Sequence, residues 1–174
     1  MTIVDWVDIF TRKNMRDIII NSLRYCIKEK GLNVYAYCIM SNHIHLIVNS
    51  NEPFQLKDTI RDFKKFTSKS IITDILNRVE SRREWMLSIF KKAGLNDPKN
   101  KTYKVWQTGS HALELFSEKF TWEKVNYIHQ NPVRAGLVER QEDWLYSSAP
   151  NYADKELILL EEVSCLTPKL ITTK

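Results

Sequence analysis

Two consecutive runs of strand-forming residues constrain the fold of this chain most. The first run, Asn33 to Met40, and the second, His43 to Asn49, are separated only by Ser41-Asn42. Two such runs joined by a two-residue turn are typical of an antiparallel hairpin. Side chains alternate across a strand, so His43 and His45 are expected on one face and the residue between them on the other. We therefore predict a sheet that presents two imidazoles side by side.

Helical periodicity flanks this hairpin on both sides. Apolar spacing predicts a helix from Asp17 to Lys30, ended by Gly31, and a mostly helical stretch from Leu56 to about Lys92, broken near Thr73 or Ser81. Helices on either side of a hairpin in a chain of 174 residues indicate one α+β domain with its own core.

The second half of the chain contains one predicted strand and one predicted helix. Tyr103 to Thr108 is rich in strand formers. A helix is expected to begin between Ser117 and Thr121 and to end at Gln130 or Asn131. The reason for that end is Pro132, because proline disfavours helical geometry in the residue before it.

The two histidines of the hairpin are a candidate metal site. Imidazoles two residues apart on a strand can bind one ion without moving the backbone, and they leave room for oxygen ligands. Two polar residues on a solvated sheet face would show the same His43-Ile44-His45 pattern. The triplet alone does not distinguish these interpretations.

Tyr127 is a candidate nucleophile. On a helix it shares a face with Asn131, one turn away, whereas His129 lies about 200° round the helix from it. A phenol has a pKa of about 10 and needs help to attack phosphorus at neutral pH. The alternative is a half-buried core aromatic, the commoner fate of a helical tyrosine, and the chain has seven tyrosines.

Charge is concentrated on the long central helix. The chain carries a net charge of +5, and five cations but only two anions lie between Leu56 and Ser70. The cations are Lys57, Arg61, Lys64, Lys65 and Lys69. Such a face suits a polyanion, although charged helix faces are also common where nothing binds.

Composition excludes several classes of protein. The three cysteines, Cys26, Cys38 and Cys165, lie far apart in sequence, which argues against a disulfide framework or a cysteine zinc site. No apolar run approaches membrane-spanning length, and the N-terminus lacks the pattern of a signal peptide. We therefore expect a cytoplasmic protein with no membrane partner.

Two long motifs in this order resemble one family. The run from Tyr35 to Ile47, YAYCIMSNHIHLI, is similar to the YAYVIMPNHIHLL segment of single-tyrosine HUH transposases. The run from Asn126 to Val138, NYIHQNPVRAGLV, resembles their NYIHxNPVRAGLV signature, and Asp143-Trp144 with Ser147-Ser148 matches the DW…SS tail. The subgroup with the greatest resemblance is the REP-associated tyrosine transposases, and the resemblance extends from about Phe10 to Tyr152.

This resemblance implies a fold, a site and a substrate. The fold would be a ferredoxin-like or RRM-like α+β sandwich, with the histidines on an antiparallel sheet and helices on one face, in a domain spanning residues 1–152 and followed by a tail, 153–174. His43 and His45 would bind Mg²⁺ or Mn²⁺ with Asn131 as third ligand, and Tyr127 would be the nucleophile. The implied substrate is single-stranded or hairpin DNA, bound in part by Arg61, Lys64, Lys65 and Lys69. Trp106-Gln107 resembles a WQ pair near such sites, and an ordinary strand aromatic is the alternative for Trp106.

The N-terminus departs from this pattern. Family members usually begin with a longer segment that contains a first strand beside the histidine strand, so that strand is expected to be missing or short here. Its loss would expose one edge of the histidine strand. A degenerate copy, a start site assigned too late and a substitute strand at Ile3 to Val7 are the three explanations that stay open.

Three functions remain in consideration at this point. One is an enzyme that cuts and rejoins DNA, as a monomer or a homodimer. Another is a DNA-binding remnant with weak or no activity. The third is an unrelated metal-dependent hydrolase, which would need further metal ligands. The only other candidate ligand is His111, which follows a Gly-Ser turn.

Overall fold

The structure is a computed structural model that describes residues 1–97, 102–109 and 112–167. His111 and part of the polar loop around Pro98 lie outside these residues. Strands β1 (Leu32–Ile39) and β2 (Ile44–Ser50) form an antiparallel sheet. The helices are α1 (Lys13–Glu29), α2 (Leu56–Asn77), α3 (Arg83–Leu95), α4 (Glu118–Arg134) and α5 (Ala149–Tyr152), with 3₁₀ turns at Val4–Trp6, Ile9–Thr11 and Gln141–Asp143. The α+β class, the hairpin and the helix break near Ser81 are confirmed.

The end of α1 follows the signal read from the sequence. Gly31, directly after the helix, has a φ of +58°, in the left-handed region where glycine is favoured. A Cβ at this position would also lie 2.6 Å from a ring carbon of Phe54. Gly31 therefore both ends α1 and lets the chain turn closely under the loop that follows β2.

The two faces of the hairpin belong to two cores. A bulge between Val34 and Ala36 shifts the register, so Val34 and Tyr37 face one side although they are three residues apart. That side packs on α1 and α2, and α3 extends the same core through Met86 and Phe90. The expectation of helices on one face holds for these three.

Helix α4 covers part of the opposite face. Ala36, Cys38 and Ile47 form a smaller core there with Val125 and Ile128 of α4. The expectation of helices on one face is thus incomplete. The apolar stripe of α4 is buried only if it packs on another apolar surface. The alternation of side chains along β1 places small and apolar residues on that side.

Residues 1–4 occupy the exposed edge at the start of β2. Thr2 bridges to His43 and Ile3 bridges to Trp106, and the Ile3 amide donates to the Asn42 carbonyl at 2.9 Å. Residues 1–4, all of which the structure describes, form isolated bridges but no strand. They nevertheless cover the edge of the histidine strand that was expected to be exposed. The suggested substitute strand at Ile3 to Val7 does not form, because Val4–Trp6 is a 3₁₀ turn.

The predicted strand from Tyr103 to Thr108 is wrong as an element. Only Trp106 forms a β-bridge there. The physical reason is that the segment it pairs with, residues 2–4, is too short. The chain turns at Val4–Trp6, so this segment forms only two backbone hydrogen bonds beside the bridge and no longer ladder.

The DW…SS motif covers the free edge of β1. Ser147 bridges to Cys38, and the Trp144 indole donates to the Ile39 carbonyl at 3.1 Å. The Ser148 hydroxyl accepts from the Tyr37 amide at 2.9 Å and lies 2.7 Å from Nε2 of His129 on α4. This motif therefore joins β1 to α4.

Pro132 does not end α4, which continues to Arg134. Proline removes the amide hydrogen that would bond to the Ile128 carbonyl. The Asn131 side-chain amide approaches that carbonyl at 3.4 Å and donates to the Tyr127 carbonyl at 2.8 Å. These side-chain contacts partly replace the missing backbone donor, so one further turn of helix forms.

Part of the stretch after residue 152 packs on the main body. Leu160 is fully buried in the larger core, and Arg24 donates to the Leu159 carbonyl at 2.7 Å. The boundary at residue 152 stays a prediction. Among the described residues, no helix combines the length and apolar character needed to cross a bilayer.

An ion-pair cluster connects the break between α2 and α3 to the residues before α1. Glu80 accepts two hydrogen bonds from Arg12, at 2.9 and 3.2 Å, and pairs with Arg82, which in turn pairs with Asp8 at 2.8 Å. Hydrogen bonds from Arg12 in particular lower the pKa of Glu80 to about 2. The folded state therefore favours the ionised carboxylate.

We predict that Glu80→Gln destabilises the protein at neutral pH by about 1.5–3 kcal/mol, the range for hydrogen bonds to charged groups. A carboxyl with a depressed pKa stabilises the fold above its unfolded pKa, and that contribution is lost as the pH falls from about 4.5 toward 2. Urea unfolding at several pH values measures this, and the variant should lose less stability on acidification than the wild type. Glu84→Gln, on the exposed start of α3, is the control. Equal acid sensitivity of wild type and Glu80→Gln would contradict the assignment.

Candidate active site

The orientation of the His43 ring is set by its neighbour in sequence. The Asn42 side-chain amide donates to the Trp6 carbonyl at 3.2 Å, which directs its oxygen to Nδ1 of His43 at 2.7 Å. An amide oxygen only accepts, so Nδ1 carries the proton and Nε2 of the neutral ring has a free lone pair. This is the outer-shell arrangement that prepares a histidine to bind a metal. The resemblance gave Asn42 no role.

His45 has a buried nitrogen without a hydrogen-bond partner. Its Nε2 is out of contact with solvent and has no hydrogen-bond partner among the residues that the structure describes. Burial in particular, with the neighbouring His43, lowers the pKa of His45 to about 4, and burial also lowers the pKa of His43. Both rings are therefore uncharged at neutral pH, the form in which imidazole binds metals.

Tyr127 lies beside these histidines in the same chain. The His43 and His45 ring centroids are 4.9 Å apart, and those of His45 and Tyr127 are 5.8 Å apart, each pair edge to face. Tyr127 is 44% exposed, so it is not the core aromatic of the alternative interpretation. The packing of α4 on β2 thus brings the predicted nucleophile to the predicted metal ligands.

Asn131 lies one turn after Tyr127 on the same side of α4. Its amide nitrogen is used by the helix, through the hydrogen bond to the Tyr127 carbonyl. That leaves the amide oxygen, which is the atom a divalent metal would bind. Its role as third ligand stays a prediction.

These residues fit a metal ion. The Nε2 of His45 is a buried polar atom without a partner in residues 1–97, 102–109 and 112–167, and the tautomer of His43 leaves the lone pair of its Nε2 available. Within the described part of the chain there is no cluster of three or more His, Cys, Asp or Glu side chains that could bind a metal. A site here would therefore need the amide of Asn131, or oxygens of a substrate, to complete it.

Two cations flank Tyr127 that the sequence interpretation missed. The Lys124 ammonium lies 5.7 Å and the Arg134 guanidinium 5.4 Å from the centre of the Tyr127 ring. Their spacing from Tyr127 on the helix, three residues before and seven after, was visible in the sequence. Only the packing of α4 shows that this face borders the histidines.

His129 lies outside the site, as expected from its helical position. It is 1% exposed, its Nε2 lies 2.7 Å from the Ser148 hydroxyl, and burial lowers its pKa to about 4. Its role is to connect α4 to the DW…SS motif.

The predicted DNA-binding cations line one groove. It has a volume of about 950 Å³ and lies between α2 and residues 102–109. Its lining includes Lys57, Arg61, Lys64, Lys65 and Lys69 from α2 and Lys104 from the other wall. Residues 106 and 107 of the second wall form backbone contacts with Thr2 and Ile3, and Thr2 forms a β-bridge with His43. The groove is therefore connected through Thr2 to the histidine strand.

These cations are not equivalent. Arg61 forms ion pairs with Asp58 at 2.5 Å and with Asp62 at 3.2 Å, which neutralise part of its charge. Lys64 donates to the Gly109 carbonyl at 3.1 Å, and burial and Lys104 lower its pKa. Trp106 is buried and its indole donates to Thr67 at 2.9 Å, so it belongs to the core, while Gln107 lines the groove.

A pair of histidines on an antiparallel sheet, facing a tyrosine on a helix, is the arrangement of single-tyrosine HUH transposases. The chain belongs to the IS200-like transposase family, because residues 6–93 match the family described as Transposase IS200 like. The match includes His43, His45 and the basic face of α2, whereas α4 lies beyond it.

Comparison with solved structures supports the fold. A structure described as the REP-associated tyrosine transposase bound to a REP hairpin is similar with a TM-score of 0.56 and 16% identity, over 99% of this chain and 88% of the other. The comparison with curated proteins finds no match.

Proposed function

We propose that this protein cleaves and rejoins single-stranded or hairpin DNA through a covalent bond between Tyr127 and a 5′-phosphate. The observation that carries the proposal is the 5.8 Å separation of the Tyr127 and His45 rings, beside two neutral imidazoles with unused nitrogens. Nucleophile and metal ligands come from one chain, so a homodimer is not needed to complete the site.

In the proposed reaction, the Tyr127 oxygen attacks phosphorus and loses its proton. The bond from phosphorus to the 3′-oxygen breaks, and that oxygen takes up a proton to become a free 3′-hydroxyl. The phosphodiester is exchanged for another ester, so a 3′-hydroxyl can attack the phosphotyrosine and reseal the strand. Lys124 and Arg134, on either side of the ring, would stabilise the negative charge of the phosphate.

His43, His45 and Asn131 would bind the divalent ion, Mg²⁺ or Mn²⁺. When bound, such an ion polarises the phosphate and stabilises charge on the leaving oxygen. The protein contributes orientation. Asn42 keeps the His43 ring in one tautomer, and the helical hydrogen bond of Asn131 limits the rotation of its side chain.

Hairpin DNA is the proposed substrate because two observations agree. The transposase structure with a similar fold is bound to a REP hairpin, which supports a hairpin substrate for this chain. Independently, the groove beside α2 carries cations on both walls, and phosphate contacts of this kind position a nucleic acid without reading its sequence.

The direct test is a covalent-adduct assay. Purified protein is incubated with labelled hairpin oligonucleotides and Mn²⁺ or Mg²⁺ and run on a denaturing gel. A metal-dependent adduct supports the enzyme. Binding without an adduct would refute the cleavage reaction and favour the alternative of an inactive DNA-binding remnant.

The groove predicts the salt dependence of DNA binding. Each phosphate contact to single-stranded DNA contributes roughly 0.7 to the slope of log affinity against log salt. Lys64→Ala with Lys65→Ala should therefore flatten the slope by about 1.4. Affinities measured by fluorescence anisotropy over a salt series test this. Lys28→Ala, on the exposed end of α1, is the matched control. An unchanged slope in the double variant would show that Lys64 and Lys65 belong to a solvated helix face that does not contact DNA.

A further inference from the structure

Helix α4 displays a row of aromatic and basic side chains that the proposed reaction only partly uses. Phe120, Lys124, Tyr127, Asn131 and Arg134 recur at three- and four-residue spacing, which places them within an arc of about 80°. Phe116 extends the row just before the helix. Tyr127 and Asn131 belong to the candidate active site. The proposed reaction uses Lys124 and Arg134 only to contact the phosphate, and it does not use Phe116 or Phe120.

Contacts within the row are continuous. The Phe116 and Phe120 rings are stacked, with centroids 5.4 Å apart and planes at 22°. The Lys124 ammonium lies 5.0 Å from the Phe120 ring and 5.7 Å from the Tyr127 ring. Arg134 follows on the far side of Tyr127. Aromatic faces and cations therefore alternate along the helix.

Stability of the fold does not account for this arrangement. Phe120 is half-buried, but Phe116 is 84% exposed, so the Phe116 side chain buries little area and contributes little hydrophobic free energy. The helix start has its own cap, because the Ser117 hydroxyl accepts from the Phe120 amide at 3.2 Å. Exposed aromatic faces interleaved with cations are instead what proteins use to bind unpaired nucleic acid, since every base can stack and every linkage carries a charge.

We propose that Phe116, Phe120, Lys124 and Arg134 form a track for the unpaired DNA strand that leads to the phosphate at Tyr127. The proposal rests on the proposed function and adds to it the path of the strand. Phe120 and Tyr127 are separated by about 10 Å along the helix axis, which a few nucleotides span. Bases would stack on the Phe116–Phe120 pair, and Lys124 and Arg134 would contact the attacked phosphate and those next to it in the strand.

Binding of short fluorescent oligo-dT over a salt series tests this track without requiring cleavage. Phe116→Leu and Phe120→Leu should each weaken affinity about tenfold, the effect of losing one stacked base, and leave the salt slope unchanged. Phe116→Tyr keeps an aromatic face and should bind like the wild type. Lys124→Gln and Arg134→Gln should instead each lower the slope by roughly 0.7.

Tyr25→Leu is the matched control, because Tyr25 is a 57% exposed aromatic on α1 that belongs neither to the α4 row nor to the lining of the α2 groove. Thermal melts of all variants confirm folding. Wild-type affinity in both phenylalanine variants would overturn the track. So would a sedimentation result in which Phe116→Leu converts a dimer to a monomer, since the row would then be a contact between copies of the chain.

The adduct assay on the wild type separates this inference from the proposed function. An adduct together with unaltered binding by the phenylalanine variants refutes the track alone. Weakened binding by those variants without any wild-type adduct supports the track and refutes the cleavage reaction alone.

Discussion

Tyr127→Phe is expected to form no covalent adduct with hairpin DNA, since deleting a nucleophile lowers the rate by about six orders of magnitude. The substitution removes the attacking oxygen and leaves the ring. Packing against His45 and the contacts with Lys124 and Arg134 are therefore kept. Affinity for uncleaved DNA should change at most about tenfold, since one hydrogen bond contributes about 0.5–1.5 kcal/mol.

The measurement is the denaturing-gel assay together with anisotropy on the same preparation. Tyr25→Phe removes a hydroxyl from another exposed tyrosine and should keep the adduct. Persistence of the adduct in Tyr127→Phe would assign the nucleophile to another residue. Metal-dependent hydrolysis that survives in this variant without any adduct would instead favour a metal hydrolase.

His45→Ala is expected to lower Mn²⁺ affinity at least about 100-fold, because removing a direct ligand exceeds the 10- to 100-fold loss typical of outer-shell substitutions. Adduct formation at low metal concentration should be lost with it. The buried Nε2 of His45 has no hydrogen-bond partner in the described part of the chain, so the substitution removes an unpaired polar atom and should not unfold the protein.

Calorimetric titration with Mn²⁺ gives the affinity, and the adduct assay over a metal series gives the activity. His129→Gln removes the same ring type from α4, where it lies 2.7 Å from Ser148. That control should melt at a lower temperature yet bind Mn²⁺ like the wild type. Wild-type metal affinity in His45→Ala would exclude the histidine pair as the metal site.

Local rules were sufficient for much of the fold. The hairpin follows from two strand-forming runs and a two-residue turn, and Gly31 ends α1 because a left-handed residue is needed there. Local rules gave the wrong secondary structure where contacts outside the local pattern determine it. Residues 103–108 have strand-forming side chains but only a short segment to pair with, and Pro132 stays helical because a side-chain amide compensates for its missing donor.

The candidate site shows the same division. The sequence by itself determined which residues are chemically capable, His43, His45, Tyr127 and Asn131, because motif, alternation and helical period are short-range properties. Tertiary structure decided that Tyr127 lies beside the two histidines, since burial of Val125 and Ile128 against β1 and β2 sets which face of α4 borders them. It also placed Lys124 and Arg134 around Tyr127. Packing of one element on another depends on complementary surfaces far apart in sequence, and no local pattern contains that information.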